Sequence, residues 1–231
     1  VTTKQEFLAR VADRLGRSRP ATEAPGWKPS TPLPTFGLTE VEALVERYRT
    51  EMDKLSGKTY RVSSLEEVAP KVLEILAASG LQGSVVRWED PALDGLDLDK
   101  QLEGAGYEVV PFKPCHNGRT LVEQAEAAVA GITGVDAAIA ETGTLVMGSS
   151  RLGEANAPGR GRTVSLLPPL HIAVLRKEHI VYSALQIFQR LAGISMPSQV
   201  VFASGPSRSA DIENDLSIGV HGPKQVHVII V

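Results

Sequence analysis

The sequence holds a single cysteine, Cys115, among 231 residues. One thiol closes no internal disulfide and by itself ligates neither zinc nor an iron–sulfur cluster, so no cofactor and no metal is expected on this chain. A charge excess is missing too: 24 Lys and Arg stand against 27 Asp and Glu, a formal net charge of -3. Without a basic surplus, nucleic acid is not an expected partner. No apolar run reaches the roughly 18 residues of a spanning helix, so no membrane span is expected. Nor does a positive start lead into a short apolar segment, and the expected location is the cytoplasm. The phosphate loop ending in Gly-Lys-Ser/Thr, the Gly-x-Gly-x-x-Gly fingerprint and the Gly-x-Ser-x-Gly elbow are all absent, which removes the sequence support for nucleotide hydrolysis, dinucleotide binding and serine-hydrolase chemistry.

What is present is an ordinary globular composition, 42% hydrophobic and 22% charged. Phe7, Leu8, Val11 and Leu15 recur at helical spacing behind a Thr2 or Thr3 cap, with Gly16 as the stop. Pro20, Pro25, Pro29, Pro32 and Pro34 follow, too dense for a helix or a central strand. Residues 1–37 are therefore predicted to be a helix on a proline-rich linker, an arm able to reach a second copy in a homo-oligomer, and residues 38–231 a single α/β domain.

In that domain Thr39 and Glu42 predict a capping box for a helix running to about Leu55. A strand is predicted over Thr59–Val62. Ser64 and Glu67 open a second helix to Gly80, with Pro70 inside it counting against the assignment. Ser84–Trp88 and Tyr107–Val110 read as strands around a helical piece at Leu98–Leu102, and Thr120–Ala130 as a helix. Ala137–Ala140 and Leu145–Met147, split by a polar glycine turn, predict a hairpin. The Arg- and Gly-rich segment Gly148–Arg162 reads as a surface loop. Beyond it, Val164–Leu167, His171–Leu175 and His179–Val181 read as strands, and Ser183–Leu191 as a helix with Leu185, Ile187, Phe188 and Leu191 inward. Alternating strands and helices mark an α/β sheet covered on both faces.

The closing stretch Val200–Val231 is predicted as a strand, a turn over Gly205–Ser209, a short acidic helix, a His221–Pro223 turn and a last strand. At such a helix start the Ser207 and Ser209 hydroxyls, the Arg208 fork and free N–H groups suit a small anionic ligand, a phosphate or carboxylate. Asp211 would complement the helix dipole; with Asp215 it gives only two carboxylates, too few for a metal site. Glu141 follows an apolar strand and precedes the Gly143-Thr144 turn, a setting for a base or nucleophile as well as for a solvated turn cap. His221 lies in a rigid turn bounded by Gly222 that would aim its imidazole, and His171 could join it if the two strands adjoin.

The runs AAIAETGTLVM (Ala137–Met147), SLLPPLHI (Ser165–Ile172) and GPSRSADIE followed by GVHGPK (Gly205–Lys224) resemble the LUD-domain family, and within it the small subunits of lactate-utilization systems. The resemblance implies a CoA transferase / ribose-5-phosphate isomerase-like fold: an open, mainly parallel sheet flanked by helices, with ligands at one end of the strands. It also implies an accessory or ligand-binding subunit of a three-protein system oxidising L-lactate to pyruvate, whose iron–sulfur subunits carry the clusters. The alternative it leaves is a free-standing enzyme acting on a CoA thioester or sugar phosphate. Glu141 and His221 would then do the chemistry, although Ala-Glu-Thr-Gly-Thr departs from the CoA transferase pattern around the nucleophilic glutamate. Ligand contacts are expected from Gly143, Thr144, His171, Gly205, Ser207, Arg208, Ser209, Asp211 and Gly222.

Overall fold

A computed structural model describes residues 3–17, 37–112, 120–152, 160–210, 216–219 and 221–231. The chain divides into two units, Val1–Thr35 and Phe36–Val231. The first contains α1 (Lys4–Arg14). Its capping box is formed: the Thr3 hydroxyl accepts from the Glu6 N–H at 3.3 Å, and the Glu6 carboxylate accepts from the Thr3 N–H at 2.8 Å. Phe7, Leu8, Val11 and Leu15 are all exposed. Almost all of the proline-rich stretch lies outside the described residues.

The second unit contains, in chain order, β1 (Lys58–Arg61), β2 (Ser84–Arg87), β3 (Glu108–Pro111), β4 (Ala130–Gly134), β5 (Ala137–Ile139), β6 (Thr144–Gly148), β7 (Leu170–Leu175), β8 (Ile180–Val181), β9 (Val200–Ala203), β10 (Arg208–Ala210), β11 (Leu216–Ile218) and β12 (Gln225–Ile230). The helices are α2 (Val41–Lys54), α3 (Val68–Ser79), α4 (Pro91–Asp94), α5 (Leu98–Gly104), α6 (Leu121–Ala127), α7 (Thr163–Leu166) and α8 (Ala184–Ala192). A six-stranded, all-parallel sheet runs in the order β1-β12-β7-β4-β2-β3. A smaller mixed sheet has the order β8-β5-β6-β9, and β10 and β11 form a separate antiparallel ribbon. Helices flank the large sheet, with α7 packed on β4 and β7 and α3 on β12. The central strands are buried along their whole length, as parallel strands covered on both faces must be.

Several local expectations are corrected. The Thr39–Glu42 capping box does not form; Glu40 is the N-cap of α2, and Glu42 pairs with Arg61 at 2.6 Å. Pro70 is harmless, because a 3₁₀ turn at Leu65–Glu67 starts the segment and leaves Pro70 in the first turn of α3. The helix predicted to Ala130 stops at Ala127, and Ala130–Gly134 is a central strand. Its two glycines and lack of alternation hide it, since a strand buried on both faces shows no period of two. Val164–Leu167 is no strand: Thr163–Leu166 is a helical turn. Phe188 does not point inward but is exposed, stacked on Phe202 with ring centroids 5.8 Å apart. Finally, the acidic helix expected after Gly205–Ser209 gives way at its start to β10. The backbone of Arg208 pairs with Ile218 of β11, so no helix dipole begins there. Asp211 and Asp215 lie outside the described residues.

Candidate functional site

In the large sheet the chain passes from β4 to β7 and β12 on one side and from β2 to β3 on the other, so strand order reverses between β2 and β4. A crevice beyond the carboxyl ends of the strands is expected beside such a point, because the diverging connections leave a gap there. A crevice of about 410 Å³ lies to one side of that point, at the carboxyl ends of β4, β7 and β12. Its lining is Val135 and Asp136 just past β4, Val174 and Arg176 at the end of β7, His179 after it, Arg151, Leu152 and Arg160 from the segment after β6, and Leu65 and Val231.

Behind this lining is a buried ionic network. Asp90 is fully buried, and the Arg160 side chain is only 3% exposed. Arg160 donates to both oxygens of Asp136, at 2.8 and 3.0 Å, and to Asp90, while its guanidinium lies 4.8 Å from the centroid of the Trp88 ring. Asp136 also accepts from the Gly148 N–H at 2.8 Å, and Arg151 reaches Asp90 at 3.2 Å. Trp88 is itself fixed by donating to the Gly161 carbonyl at 3.0 Å. Buried charges persist only when paired and hydrogen-bonded, and this network meets that condition for Arg160.

Arg176 differs. It is exposed at the crevice and forms no ion pair with any described residue. Arg151 and Arg160 both pair with Asp90, and Arg160 with Asp136 as well. Next to Arg176, His179 Nδ1 lies 3.3 Å from the Val135 carbonyl. A carbonyl only accepts, so Nδ1 carries the proton and Nε2 is the acceptor of the neutral ring.

The turns singled out from the sequence meet elsewhere, around the carboxyl end of α2. Gly143 (φ +61°) lies so close to the helix that a Cβ there would stand 2.7 Å from Met52 N. Gly205 (φ +77°) would bring a Cβ to 2.8 Å from Leu55 Cβ. Both positions combine a left-handed backbone with a close approach that suits glycine. Thr144 Oγ1 bonds to Ser204 Oγ at 2.8 Å, joining the two turns. Arg208 donates to the Leu55 carbonyl at 2.7 Å and to Ser56 Oγ at 2.6 Å, capping α2. Ser207 N–H donates to the Pro223 carbonyl at 2.9 Å, and Gly222 packs on the Ser207 side chain. The structure thus brings Gly143, Thr144, Gly205, Ser207, Arg208 and Gly222 together. Since Lys224 N–H bonds the carbonyl of Pro169 at 2.8 Å, just ahead of β7, this cluster lies toward the amino ends of β7 and β12.

Other expected site residues are placed apart from these contacts. Glu141 is exposed, its N–H donating to the Tyr182 carbonyl at 2.9 Å, and His221 is exposed in its turn. His171 sits inside the sheet with Nε2 2.9 Å from Thr133 Oγ1, and burial lowers its pKa to about 4. β7 and β12 do adjoin, yet His171 pairs in register with Val226 rather than reaching the turn. Ser209 belongs to β10. Sequence reasoning missed Asp90, Asp136, Arg160, Arg176 and His179. The only available signals were an Asp directly after an apolar strand and the arginines of the glycine-rich segment. Among the described residues no group of three His, Cys, Asp or Glu side chains could hold a metal ion, and no helix is long and apolar enough to cross a membrane.

Fold and site together define an α/β protein with an arginine-lined crevice at the carboxyl edge of a parallel sheet. Residues 45–231 match the family model described as the LUD domain. The chain is similar along its full length to "Lactate utilization protein C" of Halalkalibacterium halodurans (34% identical over 240 residues, 98% of that protein covered) and of Bacillus subtilis (32% over 242 residues, 97% covered). Its fold is similar to the crystal structure of a DUF162 family protein from Deinococcus radiodurans, with a TM-score of 0.55 at 19% identity, covering 84% of this chain and 99% of that one. The chain belongs to the LUD-domain family.

Proposed function

We propose that this chain is an anion-binding subunit, carrying no cluster of its own, of a system that oxidises L-lactate to pyruvate, with iron–sulfur partner subunits taking the electrons. The observation that carries the reading is the similarity, over the whole chain, to proteins named for lactate utilization. Arg176 supports the ligand part, as a guanidinium fork at a crevice that pairs with no described residue and matches a carboxylate in shape and charge.

A bacterium that grows on L-lactate through a three-protein system of this kind, deleted for its own small subunit, provides the test. Expression of this chain restores growth and co-purifies the iron–sulfur subunits. Full lactate oxidation by the other two subunits without this chain would sink the reading. On this reading Glu141→Gln and His221→Ala variants, both at exposed positions, also restore growth. Loss of growth with either variant folded favours the enzyme acting on a CoA thioester or sugar phosphate.

A further inference from the structure

We infer that Arg176 and His179 together receive a 2-hydroxy acid in preference to the 2-oxo acid of the same skeleton, with His179 as the residue that tells the two apart. The inference rests on the anion-binding role proposed above and assigns the crevice to the reduced member of the couple, L-lactate rather than pyruvate.

Arg176 and His179 bracket a single 3₁₀ turn, Lys177–His179, closed by the His179 N–H donating to the Arg176 carbonyl at 2.9 Å. Side chains three residues apart in such a turn eclipse one another, and both of these line the crevice. Arg151 and Arg160 line it too, but each is engaged by Asp90, while Arg176 forms no ion pair with any described residue. A ligand carboxylate therefore finds its fork at Arg176. Polarity then decides what stands beside it. The Val135 carbonyl takes the Nδ1 proton of His179, which leaves Nε2 a lone pair and no hydrogen-bond partner among the described residues. That nitrogen can accept a hydrogen bond and cannot give one. A hydroxyl on the carbon next to the carboxylate supplies the proton. A ketone oxygen in the same place sets acceptor against acceptor, so both lose water without gaining a donor. Asp136 changes nothing here, because its oxygens are held by Arg160 and the Gly148 N–H. A site built to bond a ligand hydroxyl discriminates against the analogue that lacks one.

Calorimetric titration of the full-length protein at pH 7.5, in a buffer free of carboxylate and phosphate, tests this with L-lactate, propionate and pyruvate, which share one skeleton and differ at the second carbon. L-lactate is expected to bind about fivefold or more tighter than pyruvate, with propionate between them or level with pyruvate. His179→Ala should weaken L-lactate by about fivefold and leave propionate within about twofold, bringing the three acids level. Arg176→Ala should weaken all three by about tenfold or more, with melting curves confirming that both variants are folded. Pyruvate binding as tightly as L-lactate overturns the inference, since another donor such as Arg151 then serves the 2-oxygen. Equal losses of all three acids in folded His179→Ala overturn it too, by reducing the histidine to a structural role, as does unchanged binding by Arg176→Ala or no binding of any probe at millimolar concentration. Any of these failures with growth on lactate restored leaves the subunit role standing. A lactate preference that depends on His179, without restored growth, removes that role and keeps the crevice assignment.

Discussion

His171 and His227 are buried imidazoles whose neutral form the fold requires. His171 meets Thr133, and His227 accepts from the Tyr60 hydroxyl at Nδ1 (3.1 Å) while Nε2 faces Gln225 Oε1 at 3.2 Å. Burial lowers both to about 4, helped at His227 by the nearby Lys58 charge. Their unfolded value is about 6.5, so between 6.5 and 4 the unfolded chain binds more protons and stability falls as pH falls. Above about pH 7 the contribution is fully present. Urea unfolding at pH 7 and pH 5.5 should show a loss on acidification limited to about 1.4 kcal/mol per pH unit for each histidine, and a His227→Gln variant should show a shallower loss. A pH-independent midpoint over that interval would refute the assignment. A second contrast holds at the crevice. Asp90→Ala removes one of the two carboxylates that hold buried Arg160 and leaves Asp136, so it should cost about 1–3 kcal/mol, whereas Arg176→Ala, at an exposed side chain, should leave the urea midpoint within about 0.5 kcal/mol of wild type.

At the scale of elements, the signature turns act as a clamp on the end of α2. Arg208 caps the helix carbonyl, Gly143 and Gly205 allow the two turns to press on Met52 and Leu55, and Thr144 ties them through Ser204. Gly143→Ala introduces a Cβ at a left-handed position already in contact with the Met52 amide. It should destabilise the protein by about 1–3 kcal/mol, read as a lower melting temperature, and a wild-type melt would show that the turn relaxes freely. These turns were legible as motifs, because glycine and proline punctuate a sequence visibly. Their partner was not, since Leu55 stands 153 residues from Arg208. Distance along the chain also hid the crevice: Asp90 and Arg160 are 70 positions apart, and a buried arginine in a glycine-rich segment looks like a solvated one until its carboxylates are placed. By contrast α1, α3, β2 and β7 followed from local spacing, which needs no long-range information.

For the molecule as a whole, the second unit carries two apolar clusters. Its large apolar cluster runs from Leu44 to Ile230 with Leu38 packed against it, and a smaller cluster lies around Val146 and Ile187. Among the described residues, no member of either cluster precedes Leu38. A chain of residues 38–231 should therefore unfold in one cooperative transition, because the apolar burial that drives folding is retained. The residues removed include α1, which carries the exposed row Phe7, Leu8, Val11 and Leu15. A row of that kind on a helix is suited to lie in a partner's groove. Comparing the two lengths separates folding from assembly: calorimetry of the truncated chain should give one sharp transition, and pull-down of the iron–sulfur subunits proposed above should weaken relative to the full chain. A broad, non-cooperative melt would show that residues 1–37 complete the core. Undiminished capture would move the partner surface off α1 and onto the α/β domain.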